Sequence, residues 1–278
     1  MGVVQRLRNL HAATAPSCTQ GLQLASVDAP LPLTEAQCDA FTRDGAILVR
    51  GLIPAELSAR AERAMWHCTY PDGPPTSWEG APGGLRLYNE PDLKNCFTPT
   101  VLAAAAQLTG DDISTFSKSD THPKTTYTTT YLEADAAGED VSRFFRWDCA
   151  YCINIFPGEG DKGDVPHIDH SVEQHRHRTF PPVFRLGAII YLSDVGPGAG
   201  GTRIWPGSHR ELEAMACRAP QRYEWRAAVM AEIRELELGK PLELRPRRGD
   251  VLFLHHLTAH AGSYNASDRP RFAINMKW

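Results

Sequence analysis

What is missing from these 278 residues narrows the field before any motif is read. No apolar run approaches the roughly 20 residues that span a bilayer. Met1 to Leu10 lacks the apolar core of a secretory leader, and position 6 is Arg where a myristoylation signal after Gly2 needs Ser or Thr. No membrane segment or anchor is therefore expected. Lysine and arginine form no block: the formal charge is −4, and the densest basic stretch, Arg245-Pro246-Arg247-Arg248, reads as a solvated turn. That excludes a field suited to nucleic acid or to an anionic membrane. The seven cysteines are odd in number and irregularly spaced, so no disulfide framework is expected. Cys149-x-x-Cys152 has no second CxxC, and on a strand its side chains point to opposite faces, which makes packing its expected role. A reducing, cytoplasmic setting follows as the expectation.

What is present is ordinary globular material, 42% hydrophobic and 22% charged, in a length that one all-β domain often reaches. A single domain over residues 1–278 is expected, with a loosely packed arm at 1–32 and a mostly helical flank at 33–120. The strand-rich core then covers 121–278. Thr34-Glu35-Ala36-Gln37 is a capping-box pattern opening a helix. Ala46 to Arg50 reads as a strand. Pro54 opens a second helix with Leu57, Ala61, Ala64, Met65 and Cys68 on one face, and a third covers Pro99 to Leu108. Beyond residue 120 the pattern changes to strands at Thr125–Tyr131, Trp147–Phe156, Arg185–Leu192, Gly201–Trp205, Pro241–Leu244, Val251–His255 and Arg271–Trp278. Turn signals such as Gly196-Pro197-Gly198 and Gly249-Asp250 separate them. A helix is expected as an insertion near 223–238. Helices first and many short strands later fit a jelly roll with helices packed outside it.

Against this background one constellation carries chemistry. His167 and Asp169 are two apart, so an extended segment projects both from one face while Ile168 packs the other way. An HxD alone is weak in a chain with eleven histidines. Its weight comes from Thr258-Ala259-His260, expected to end the strand begun at Val251, and from Arg271 after the turn at Asn265 to Pro270. Two imidazoles and one carboxylate form a facial metal triad with open coordination positions, suited to Fe(II) and O2. A guanidinium fork nearby suits the far carboxylate of a dicarboxylate cosubstrate. Arg269 is an alternative, but turn position and strand parity favour Arg271.

The sequence resembles the phytanoyl-CoA-dioxygenase-like branch of the Fe(II)/2-oxoglutarate-dependent oxygenases, from about Leu33 to Trp278. The resemblance rests on Leu33-Thr34-Glu35, the Asp44-Gly45-Ala46-Ile47-Leu48-Val49-Arg50-Gly51 segment, Tyr191-Leu192-Ser193-Asp194-Val195 and Gly201-Thr202. It also rests on Trp205-Pro206-Gly207-Ser208-His209-Arg210, Gly249-Asp250, His260, and Asn265-x-Ser267 before Arg271. It implies a mainly β fold with flanking helices, a double-stranded β-helix (jelly roll, cupin-like). It implies iron held by His167, Asp169 and His260, and 2-oxoglutarate held by Arg271, with Thr202 and Asn154 as further contacts. Where some relatives carry a hydroxyl residue two positions after the distal histidine, this chain has Gly262, with Ser263 as a substitute. Related halogenases have Ala or Gly where Asp169 stands, so hydroxylation or another oxidation is expected rather than halogenation.

The implied activity is oxidation of a small organic molecule, with O2 and 2-oxoglutarate consumed and succinate and CO2 released. Two readings compete. One is a catalytically silent barrel that binds a small ligand, against which the presence of all four primary residues speaks. The other is a 2-oxoglutarate-independent metal dioxygenase on the same fold. No basic patch for a CoA thioester is assembled in the sequence, so a free small molecule from specialised metabolism is the expected substrate. Tyr70, Trp78, Tyr223 and Trp225 either shape its pocket or pack insertions. His170, His175 and His177 are expected in a solvated loop, His255 and His256 in packing, and His209 in a structural turn. Nothing in the sequence bears on oligomeric state.

Overall fold

The computed structural model describes residues 32–78, 90–110, 151–163, 165–169, 185–224 and 226–277. Its first helix, α1 (Glu35–Asp44), begins where the capping box predicts. The Thr34 hydroxyl accepts from Gln37 N–H, and the Gln37 side chain accepts from Thr34 N–H in return. The helix stops at Gly45, φ 73°, and a Cβ there would lie 2.4 Å from His209 Nδ1, so only glycine lets the chain turn into β1 (Ala46–Val49). Helix α2 (Ala55–Thr69) buries Ser58, Ala61, Met65 and Thr69. That stripe is rotated from the expected one: Cys68 is exposed. The two hydroxyl residues can be buried because Ser58 donates to Ala55 O and Thr69 to Met65 O. The short α3 (Pro91–Lys94) and α4 (Pro99–Thr109) follow, the latter capped by the Thr98 hydroxyl.

Two antiparallel sheets complete the frame. The larger contains β1, β2 (Tyr151–Cys152), β3 (Leu186–Tyr191), β6 (Val251–His255) and β8 (Ala273–Lys277), in the order β1-β6-β3-β8-β2. The smaller is β5 (Leu242–Glu243), β4 (Thr202–Ile204) and β7 (His260–Gly262), in the order β5-β4-β7. Every residue of the central β3 is buried, as its apolar run predicts for a strand covered on both faces. Along β8 the side chains alternate. Ile274 and Met276, with Phe272 just before them, join the helices in one core, while Ala273 joins Ile189, Tyr191, Leu252 and Leu254 in another. Tyr70 and Trp78 pack with Trp66, Phe156 and Phe272 in that helical core, so they serve packing there. Asp250 ties the edge together: it accepts from Gly51 N–H, Arg247 N–H and the Arg50 guanidinium.

Several expectations change. The architecture is a mixture of helices and short antiparallel strands, because among the described residues no strand exceeds six residues. His209, expected in a structural turn, stands in a helix: Gly207, φ 80°, leads straight into α5 (Ser208–Arg218), which buries Leu212, Met215 and Ala216. The expected helix at 223–238 is shorter, α6 (Arg226–Glu232) continued by one 3₁₀ turn over Ile233–Glu235. His260 does not end the strand begun at Val251. That strand stops at His255, the chain turns with Thr258 N–H donating to His255 O, and His260 opens β7 in the other sheet. Of the expected strand at 147–156, Tyr151–Cys152 is seen, and a single bridge pairs Ile155 with Arg271. The strand expected at Thr125–Tyr131, the N-terminal arm, Cys149, His170, His175, His177 and Trp225 lie outside the described residues.

Candidate metal centre

His167 is brought to His260 by a single antiparallel bridge, in which His167 N–H donates to His260 O and His260 N–H to His167 O, both at 2.9 Å. Two residues facing each other across such a bridge have close side chains, and the imidazole centroids are 4.4 Å apart. Ile168 turns the other way into an apolar cluster with Trp205, Leu212 and Val229, which leaves Asp169 on the histidine side. One ligand atom from each of His167, Asp169 and His260 lies within 4.8 Å of the others. Asp169 Oδ1 is 3.4 Å from His260 Nε2. His260 Nδ1 is 2.9 Å from Thr258 O, so with the proton assigned to Nδ1 the Nε2 lone pair faces the carboxylate and is available to a cation. This donor set, two imidazoles and a carboxylate, fits a divalent first-row metal with positions left open.

Next to the triad sits a second charged pair. Asp169 Oδ2 is 3.3 Å from Lys277 Nζ, and that ammonium is also 2.9 Å from the Tyr151 hydroxyl. Burial by itself lowers the lysine pKa, but the Asp169 charge and Tyr151 reverse this and hold it above its usual value, so the ammonium stays charged.

At the other end of the same strand face, Arg271 is 4% exposed. Its guanidinium donates to Ile153 O and, at 3.4 Å, to the Thr202 hydroxyl, while its Nε has no partner. No carboxylate pairs with it among the described residues. Burial pulls its pKa down to about 10, with Tyr191 opposing, which leaves it cationic at neutral pH. Tyr191 is fully buried and donates to Thr202 Oγ1 at 2.7 Å. A buried guanidinium with an idle N–H and no counter-ion is costly unless an anion completes it.

The other sequence candidates fare unevenly. Thr202 joins Arg271. Asn154 does not: its Nδ2 faces Met65 Sδ at 3.6 Å and its Oδ1 the Ala273 N–H, on the side of the sheet that packs against α2. The Ser263 hydroxyl, offered as a substitute at Gly262, donates instead to Gly201 O and Glu243. A Cβ at Gly262 would meet Ile155 Cδ1 at 2.8 Å, so a side chain there requires the end of Ile155 to shift. Asn265 holds the turn before Arg271, donating to Ile155 O and Arg269 O. Sequence reasoning missed Tyr151, Tyr191 and Lys277. Parity was the available signal for Lys277, which stands on the same strand face as Arg271 six residues earlier.

The family described as Phytanoyl-CoA dioxygenase (PhyH) matches residues 41–273. The chain belongs to the phytanoyl-CoA dioxygenase family. The matched span contains all six candidate residues and ends before Lys277. No curated protein matches this PhyH-family chain in sequence. Solved structures share its fold. The carbocyclase SnoK from nogalamycin biosynthesis, a non-heme alpha ketoglutarate dependent enzyme, is 16% identical with TM-score 0.53, covering 88% of this chain and 83% of its own. EctD from S. alaskensis in its apo form is 15% identical with TM-score 0.54, covering 91% and 78%. The epimerase SnoN, in complex with Fe3+, alpha ketoglutarate and nogalamycin RO, is 17% identical with TM-score 0.53, covering 87% and 82%. Among the described residues of this PhyH-family chain, no helix is long and apolar enough to cross a membrane.

Proposed function

We propose that this chain is an Fe(II)- and 2-oxoglutarate-dependent oxygenase that hydroxylates, or otherwise oxidises, a free small organic molecule, releasing succinate and CO2. In this reading the two sheets are halves of a double-stranded β-helix within one domain spanning the chain. The observation that carries it is the buried Arg271 guanidinium, idle at Nε and without a carboxylate among the described residues. It contacts Thr202, which lies in the same small sheet as His260 of the His-Asp-His triad. The SnoN complex holds iron and alpha ketoglutarate together, and we carry that pair over to this chain.

His167, Asp169 and His260 would hold the metal, and Arg271 with the Thr202 hydroxyl would hold the distal carboxylate of 2-oxoglutarate. Bound iron would supply activation of O2 coupled to oxidative decarboxylation of the cosubstrate. The protein does the rest by orientation. The His167–His260 bridge fixes two imidazoles, and the Nδ1 bond to Thr258 O sets which His260 nitrogen faces the metal. Buried Tyr191, packed in an apolar cluster with Ile189, Leu252 and Leu254, donates to the Thr202 hydroxyl that Arg271 contacts. Asp169 fills the position a halide would need, which favours hydroxylation or a related oxidation over halogenation.

The test is an anaerobic visible titration of apoprotein with Fe(II) and then 2-oxoglutarate. A weak charge-transfer band should require both, and Arg271→Ala should remove it at the same cosubstrate concentration. Truncating one partner of a buried charge pair costs about 2–5 kcal/mol, so cosubstrate affinity should fall by roughly 30-fold or more. Folded protein that binds Fe(II) yet shows no band with 2-oxoglutarate would sink this reading.

A further inference from the structure

The two oxygens of Asp169 do not face the same thing. Oδ1 lies 3.4 Å from His260 Nε2, on the side where the triad converges, while Oδ2 lies 3.3 Å from Lys277 Nζ. Lys277 is 3% exposed although it is a lysine, a residue type almost never fully buried without a specific partner. Its position follows from sheet register. Tyr151 and Asn275 are paired directly across β2 and β8, and Asn275 Nδ2 donates to the Tyr151 hydroxyl at 3.0 Å. That hydroxyl accepts from Lys277 at 2.9 Å, and the ammonium also stands over the Tyr151 ring, 4.9 Å from its centroid. The ammonium is thus held by the strand pair and not by Asp169 alone.

We propose that Lys277 is a positioning residue that engages the outer oxygen of Asp169, so that the carboxylate offers the metal one oxygen instead of two. This rests on the metal reading given above. The consequence is a count of coordination positions. On a six-coordinate metal, two imidazoles, one carboxylate oxygen and a chelating 2-oxo acid would leave one position for O2. A carboxylate bound through both oxygens would take that position. An ordinary structural lysine, present only to fill space or to neutralise Asp169, predicts no such effect on the open position.

Nitric oxide reads that position directly, because it takes an O2 site on Fe(II) and gives a characteristic high-spin paramagnetic signal. The full-length protein is loaded anaerobically with Fe(II) and 2-oxoglutarate, and the charge-transfer band is recorded before nitric oxide is added. Lys277→Met keeps the length and apolar stem and removes the charge. It is expected to retain the band and to lose the nitric oxide signal at least fivefold, while Lys277→Arg restores it. A wild-type signal in Lys277→Met overturns the proposal and leaves the metal reading intact. If wild-type protein binds no Fe(II) at all, the metal reading fails and this inference falls with it. Should Lys277→Met not fold, Tyr151→Phe carries the test by removing the oxygen that anchors the ammonium. A reduced signal supports the assignment, and an unchanged one refutes it.

Discussion

The His167–His260 pair and the His209–His255–His256 group set imidazoles at similar separations, with centroids 4.4 Å apart in the first and 5.2 and 4.3 Å apart in the second. Their surroundings differ in kind. The first pair has Asp169 against it and a backbone carbonyl that directs the His260 proton to Nδ1. The second is governed by burial, which lowers the pKa of all three rings, with neighbouring imidazoles and Arg185 adding to the effect on His255 and His256. His209 Nε2 is spent on Thr42 O and the His255 ring nitrogen on Leu257 N–H, so these rings brace turns. Closeness of histidines does not make a metal site; a carboxylate and a sorted tautomer do.

Substitution should divide the two groups. His260→Ala is expected to weaken divalent metal binding by about 100-fold or more, since removing even an outer-sphere partner costs roughly 10–100-fold. His256→Phe should leave one metal bound per chain by elemental analysis. Loss of metal from the His256 variant would erase the distinction.

Acid sharpens the same contrast through stability. The pKa of His256 is lowered from 6.5 to about 3 by burial first, and those of His255 and His209 are also lowered. Between the folded and ordinary values the unfolded chain binds more protons, so this stability is complete above about pH 6.5 and drains away as pH falls toward 3. His256 alone should contribute a drop on the order of 1–2 kcal/mol between pH 7 and 5 by denaturant titration, and that share should be absent in His256→Phe while His255 and His209 keep theirs. Equal acid sensitivity in the two proteins would assign the loss to other groups.

The smallest effect belongs to Thr202, whose hydroxyl reaches Arg271 at 3.4 Å. Thr202→Val should raise the 2-oxoglutarate dissociation constant roughly three- to tenfold, the size of one modest hydrogen bond. Calorimetry that finds no change would remove Thr202 from the cosubstrate contacts.

The local signals were legible for local reasons. The capping box before α1, the apolar run of β3 and the alternation that separates Ile168 from His167 and Asp169 all depend on neighbours in sequence. Reading failed where a distant partner decided. The α2 stripe is the local exception, since its buried hydroxyls are satisfied by carbonyls one turn back in the same helix. His260 moved to a second sheet because the chain turns after His255, a break no hydropathy pattern marks. Asn154 packs toward Met65 because its strand pairs with the chain around Arg271, which fixes the side it faces.

By itself the sequence determined the residue types and spacing of the triad, the presence of a guanidinium after the last turn, and local elements such as α1, β1 and β3. It did so because side-chain chemistry and strand parity are properties of the chain alone. Tertiary structure decided which charges meet. Arg271 is left without a described carboxylate while Lys277, six residues later on the same strand face, is set against Asp169. That outcome depends on the register of β2 against β8 and on the bridge joining His167 to His260, contacts between segments more than ninety residues apart in the chain.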